Sequence, residues 1–175
     1  MSVRNNLYFA LRSAKVPRDE WDQRIEGLIA EVGLTDAIDR SVTELSVGMA
    51  QRIALVRGLC CQPKVLLLDE PFSALDPKRR LQLQKDLLHL IRLTNTTVVM
   101  VTHDIDEALQ LADHIVVLQD SPATISLSLQ PTLESREQDR QRLLEEKNKM
   151  IQRNDKTNTK YRSIQNQFSA QYTLK

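Results

Sequence analysis

The sequence predicts an α/β fold with a parallel-sheet core, and three apolar runs predict it. Val65-Leu66-Leu67-Leu68 leads into Asp69-Glu70, Thr97-Val98-Val99-Met100-Val101-Thr102 leads into His103-Asp104, and Ile115-Val116-Val117-Leu118 follows. Unbroken apolar runs of this length suit strands buried on both faces, as in a parallel sheet flanked by helices. Open α/β sheets bind ligands at the C-terminal ends of their strands. Acids at one strand mouth and a histidine at the next therefore mark a candidate site.

Residues 19–32 read as an amphipathic helix, with Trp21, Ile25, Leu28, Ile29 and Val32 on one stripe and Gly33 as a stop. That stripe reads as core. Ser46 is an N-cap candidate for a helix that continues through Ile53, Val56 and Cys60. Pro77 stands where a helix favours proline, at its first turn. This helix is expected to reach about Leu93, with Leu81, Leu87, Leu88 and Ile91 inward and His89 at or near the surface. A short helix joins the second and third strands, and residues 124–129 alternate like an edge strand. Residues 132–153 mix both charge signs around Leu133, Leu143, Leu144, Met150 and Ile151. They read as a solvated helix with a narrow apolar stripe, or as a partner-docking helix. The Asn-, Gln-, Thr- and Lys-rich residues 154–175 read as disordered. The expected organisation is thus a helical portion at 1–62, an α/β core at 63–130, a charged helix at 131–153 and a tail at 154–175.

A chain of 175 residues can bury a core without staples. Its net charge of +1 gives no electrostatic argument for nucleic acid or an anionic membrane. Cys60 and Cys61 are adjacent and lack the spaced partners of a zinc site, so they read as free thiols in a reducing compartment. No apolar run reaches the length of a membrane span, and the first residues lack the apolar core of a signal peptide.

The chemistry of these residues leaves alternatives open. Asp69 and Glu70 suit a magnesium-assisted phosphate site, one acid holding the metal and the other activating water, or else form a solvated acidic turn. Ser46 and Gly48 at a helix start suit an anion, or form a plain capped helix. His103 reaches a terminal phosphate or its attacking water, or caps the next helix. His114, at the start of its strand, has no catalytic role.

Taken together, Leu45-Ser46-Val47-Gly48-Met49-Ala50-Gln51-Arg52, Leu67-Leu68-Asp69-Glu70-Pro71-Phe72-Ser73-Ala74-Leu75-Asp76 and Val101-Thr102-His103-Asp104 resemble the ATP-binding cassette ATPases in order and spacing. The resemblance spans about residues 2–129 and is nearest to importers of the nitrate, sulfonate, taurine and bicarbonate type. It implies the C-terminal part of a P-loop NTPase fold, with part of a helical subdomain. It also implies ATP and Mg2+ as cofactors, with Glu70 and His103 catalytic and Asp69 holding magnesium through water. Ser46, Gly48 and Met49 would meet ATP held by the opposite subunit of a dimer, and Asp76 would lie in the loop that touches its counterpart. The implied partners are a second ATPase subunit (identical or different), membrane permease subunits and, indirectly, a solute-binding protein. The implied place is the cytoplasmic face of the membrane, with no nucleic acid involved.

Two departures shape these expectations. Val47 stands where the family usually has a second glycine, and a β-branched residue resists positive φ and fills space near the phosphate. No Gly-x-x-x-x-Gly-Lys-Ser/Thr occurs in the sequence. The chain is accordingly expected to be an N-terminally truncated ATP-binding subunit of an importer. The alternative is a non-catalytic remnant or interaction module that does not bind ATP alone. Without a central P-loop strand, residues 65–68 and 98–101 are expected to lack a neighbour and expose sheet edge.

Overall fold

The computed structural model describes residues 1–119, 122–157 and 169–174. The chain divides into two compact units, Met1–Leu66 with Ala74–Thr97, and Leu67–Ser73 with Val98–Lys175. In the first unit the helix after the first strand packs on the helix that precedes that strand.

The first unit is helical: α1 (Val3–Ser13), α2 (Trp21–Glu31), α3 (Val47–Leu59) and α4 (Pro77–Thr94). α1 carries clear local signals in the sequence. Ser2 caps it, accepting from the Asn5 N–H at 3.2 Å, and Val3, Leu7 and Leu11 recur at four-residue spacing and are fully buried. Arg4 ties its start to the chain ahead of α3 through Asp39 at 2.9 Å. In α2 the expected stripe holds, with Trp21, Ile25, Ile29 and Val32 buried and Gly33 ending the helix at φ +66°. The inward face of α4 is corrected. Leu83, Leu87, Leu90 and Ile91 are buried while Leu81 is exposed. The buried leucines alternate three and four residues apart, a better match to the helical repeat than a stripe that includes Leu81. Each buried leucine contributes about 1.5–3 kcal/mol of hydrophobic stabilisation. Asn95 closes α4 in the left-handed conformation at φ +49°.

A five-stranded sheet in the order β1-β2-β5-β3-β4 has most of its residues in the second unit. Its strands are β1 (Val65–Asp69), β2 (Thr97–Thr102), β3 (His114–Gln119), β4 (Thr124–Leu129) and β5 (Ser169–Leu174). Hydrogen bonds from Thr97 N–H to Lys64 O and from Glu70 N–H to Val101 O run in the same sense along β1 and β2, so that pair is parallel. β5 is antiparallel to both β2 and β3, which makes β2 and β3 parallel to each other, and β4 closes the far side antiparallel to β3. Helix α5 (Ile105–Leu111) joins β2 to β3, and α6 (Arg136–Thr157) packs against α5 and β4.

Three expectations change here. β1 is an outer strand with alternating exposure, Val65 at 50% and Leu67 at 74%, not a strand buried on both faces. β2 is flanked by β1 and β5, so it does not expose an edge. Part of the tail expected to be disordered forms the last turn of α6 and the strand β5, while residues 158–168 and 175 lie outside the described residues. The charged helix also departs from a free surface: Leu143 is fully buried, whereas Leu133 and Leu144 are exposed. Among the described residues no helix is long and apolar enough to cross a membrane.

Candidate functional site

Two groups of the singled-out residues are brought together, one in each unit. In the second unit the group forms where β1 and β2 end. Glu70 takes a left-handed backbone conformation, φ +42°, which costs a non-glycine residue about 1–3 kcal/mol. Three bonds hold it there. Its N–H donates to the Val101 carbonyl at 2.9 Å, and its own carbonyl accepts from Ser73 N–H at 3.3 Å and Ser73 Oγ at 3.0 Å. From this position Glu70 Oε1 lies 3.0 Å from His103 Nδ1. Both side chains are about half exposed, at 45% and 51%, and so remain open to a ligand. Asp69, the last residue of β1, is also exposed.

The turn that carries His103 is fixed from behind. Thr102 Oγ donates to the buried Glu107 carboxylate at 2.8 Å and accepts from Asp104 N–H at 3.1 Å. Asp104 caps α5, accepting from the N–H groups of Asp106 and Glu107 at 2.9 and 3.2 Å. Capping therefore falls to Asp104, and the His103 ring turns to Glu70. Thr102 and Glu107 as positioning residues were not singled out from the sequence. A threonine five residues ahead of a glutamate gives no pattern until a turn folds one onto the other. Beside His103 a cleft of about 270 Å3 is bounded by Asp106, Arg140 and Lys147. Arg140 pairs with Asp106 at 3.0 Å, which places α6 next to the histidine. His114 instead bonds Ser128 Oγ across β3 and β4 at 2.8 Å, in keeping with a structural role.

In the first unit Ser46, Gly48, Met49 and Asp76 line one open cleft of about 540 Å3, together with Arg52, Lys78 and Arg79. Two helices start there. Ser46 Oγ accepts from Met49 N–H at 3.3 Å at the head of α3, and Asp76 Oδ1 accepts from Arg79 N–H at 3.1 Å at the head of α4. Two helix N-termini and three basic side chains favour an anion. Arg52 is anchored by Asp86 at 2.7 Å and Arg79 is paired with Asp76 at 3.3 Å. The place of Lys78 and Arg79 beside Ser46 is not legible in the sequence, which does not show that the heads of α3 and α4 adjoin. Val47 is the first residue of α3, is 59% exposed, and is not among the positive-φ residues. A glycine is not needed there for backbone reasons; only the bulk of Val47 at the helix head remains as an obstacle.

Comparison with known proteins gives consistent matches. The ABC transporter family profile matches residues 1–73. A bicarbonate transport ATP-binding protein, CmpD of Synechococcus elongatus, is 39% identical over 148 residues, covering 83% of this chain and 53% of that protein. An aliphatic sulfonates import ATP-binding protein, SsuB of Mycobacterium avium, is 43% identical over 129 residues, covering 74% of this chain and 51% of that protein. Among solved structures, cbiO1 of Clostridium perfringens, part of the ABC transporter complex cbiONQ, aligns with a TM-score of 0.62 at 29% identity, covering 74% of this chain and 51% of that one. The chain spans about half the length of these relatives.

Proposed function

Because this chain belongs to the ATP-binding cassette transporter ATPases, we propose that it is an ATP-binding piece of an importer, coupling MgATP turnover to solute uptake. The observation that carries this reading is the Glu70 carboxylate held by a strained backbone 3.0 Å from His103. Glu70 takes the role of general base, its second oxygen left for the proton of an attacking water. His103, locked by the Thr102 and Asp104 turn, orients Glu70 and meets the terminal phosphate. Mg2+, when bound, neutralises phosphate charge, and such an ion keeps several waters and needs only one or two carboxylates, so a single exposed Asp69 fits it. Ser46, Gly48 and Met49, at a helix head lined with arginines, suit the γ-phosphate of a nucleotide held by a second ATPase subunit, with Asp76 at the junction. In this reading a P-loop comes from outside these residues. Permease subunits hold the assembly at the cytoplasmic face of the membrane. The cargo is a small anion, by analogy with the bicarbonate and sulfonate relatives.

Nucleotide-dependent melting tests this reading. A ligand that binds the native state at a hundred times its Kd stabilises by about 2.7 kcal/mol. MgATP should raise the melting temperature of the wild-type chain, and Asp69→Asn should lose the Mg2+-dependent part. Paired with a P-loop-bearing subunit, Ser46→Ala should lower phosphate release, because Ser46 meets the nucleotide which that subunit holds. No shift at any MgATP concentration, alone or paired, would point to a non-catalytic interaction module.

A further inference from the structure

The charged helix α6 reads from sequence as solvated or as docking, and its packing favours docking, on α5 of the same chain. Its head is locked locally. Ser135 Oγ donates to the buried Asp139 carboxylate at 2.6 Å and accepts from Thr132 N–H at 3.0 Å. Arg140, Leu143, Leu144 and Lys147 then follow at three- and four-residue spacing, on one side of the helix. Leu143 is fully buried, and Arg140, Leu144 and Lys147 line the cleft that His103 also lines. The side of α6 that packs on α5 thus reaches the histidine turn.

A chain of bonds runs from α6 to that turn. Arg140 Nε and Nη2 donate to the two carboxylate oxygens of Asp106 at 3.0 and 3.4 Å, a forked pair. The Asp106 N–H donates to Asp104 Oδ1 at 2.9 Å, and the Asp104 N–H donates to Thr102 Oγ at 3.1 Å. His103 stands between Thr102 and Asp104 in the chain. We propose that Arg140 is a positioning residue for His103: from α6 it holds the first turn of α5, and through that turn the ring that meets Glu70. An exposed ion pair is ordinarily worth little, since two mobile side chains must be ordered to make it. Here that cost is lowered, because buried Leu143 and the Ser135–Asp139 bond already fix the backbone around Arg140. The fork also sets a direction, which a lysine ammonium, a point charge, does not. What Arg140 supplies is order in the His103 turn more than stability of the fold. Its part in turnover rests on Glu70 and His103 acting as proposed for the importer.

Amide hydrogen exchange of the full chain tests this, together with ATP turnover in an assembly that includes a P-loop-bearing subunit. Arg140 and Asp106 are 46% and 69% exposed, so truncation at position 140 leaves the fold intact. In Arg140→Ala the amides of Asp104, Asp106 and Glu107 should exchange about threefold faster than in wild type, or more. Those of Ile115 and Val117, in the buried part of β3, should keep their rates. Turnover should fall by about threefold or more with the KM for MgATP unchanged, the sign of an interaction that serves the reacting pair alone. Arg140→Lys, which keeps the charge and loses the fork, should lie between the two chains in both measurements. Exchange at 104–107 that stays at the wild-type rate overturns the proposal. So does an equal rise at Ile115 and Val117, which marks general loosening, and so does faster exchange with unchanged turnover. If the wild-type assembly turns over no ATP, the importer reading fails, and the exchange rates alone decide whether Arg140 holds the turn.

Discussion

Glutamate resists positive φ because its Cβ crowds the backbone carbonyl, yet Glu70 holds +42° between the end of a strand and the turn at Ser73. The strain is local and removable. Glu70→Gly should raise stability by about 1 kcal/mol while deleting the contact with His103, as read by urea unfolding. A lower midpoint would mean that the exposed Glu70–His103 contact outweighs the backbone strain. Cys60 shows the opposite kind of constraint. Burial, with the neighbouring Cys61 adding to it, pushes its thiol from the ordinary 9.0 up to about 12. The folded chain then keeps a proton that the unfolded chain loses, so stability is full below pH 9.0 and declines as pH rises toward about 12. Unfolding midpoints measured across that window should fall in wild type and fall less steeply in Cys60→Ala. Alkylation should reach the less buried Cys61 first.

Helix heads decide much of the site. Asp76 ends the turn after β1 and caps α4, with Pro77 at the first position. Asp76→Ala should cost about 1 kcal/mol in thermal melting, and Asp76→Asn should cost much less, because the amide oxygen still caps. Equal losses in both variants would show that the charge, through Arg79, matters more than the cap. The start of α3 was legible because a serine followed by an apolar helix is a local signal. That the heads of α3 and α4 open into one basic cleft was not, since it depends on how two helices separated by a strand and a turn pack on each other. The inward face of α4 was misjudged for the same reason: leucines crowd several faces, and only the neighbouring helices choose among them.

Across the molecule the chain passes between the two units three times, at residues 66–67, 73–74 and 97–98. β1 remains an outer strand with Leu67 exposed, an invitation to edge pairing between molecules. Leu67→Lys should leave stability within about 0.5 kcal/mol and lower the rate of aggregation followed by light scattering. A large loss of stability would show that Leu67 is covered in solution. The sequence by itself determined β1 to β4, the starts of α3 and α4 and the acids and histidine at strand mouths, because period, caps and punctuation act over a few residues. It also carried the family resemblance, whose motifs are contiguous runs. Only the tertiary structure decided that Glu70 and His103 meet, that Thr102 and Glu107 hold the turn, and that a polar-looking tail supplies a central strand. Those outcomes depend on which distant segment fills a gap, and main-chain hydrogen bonds, blind to side-chain type, let an unremarkable hexapeptide do it.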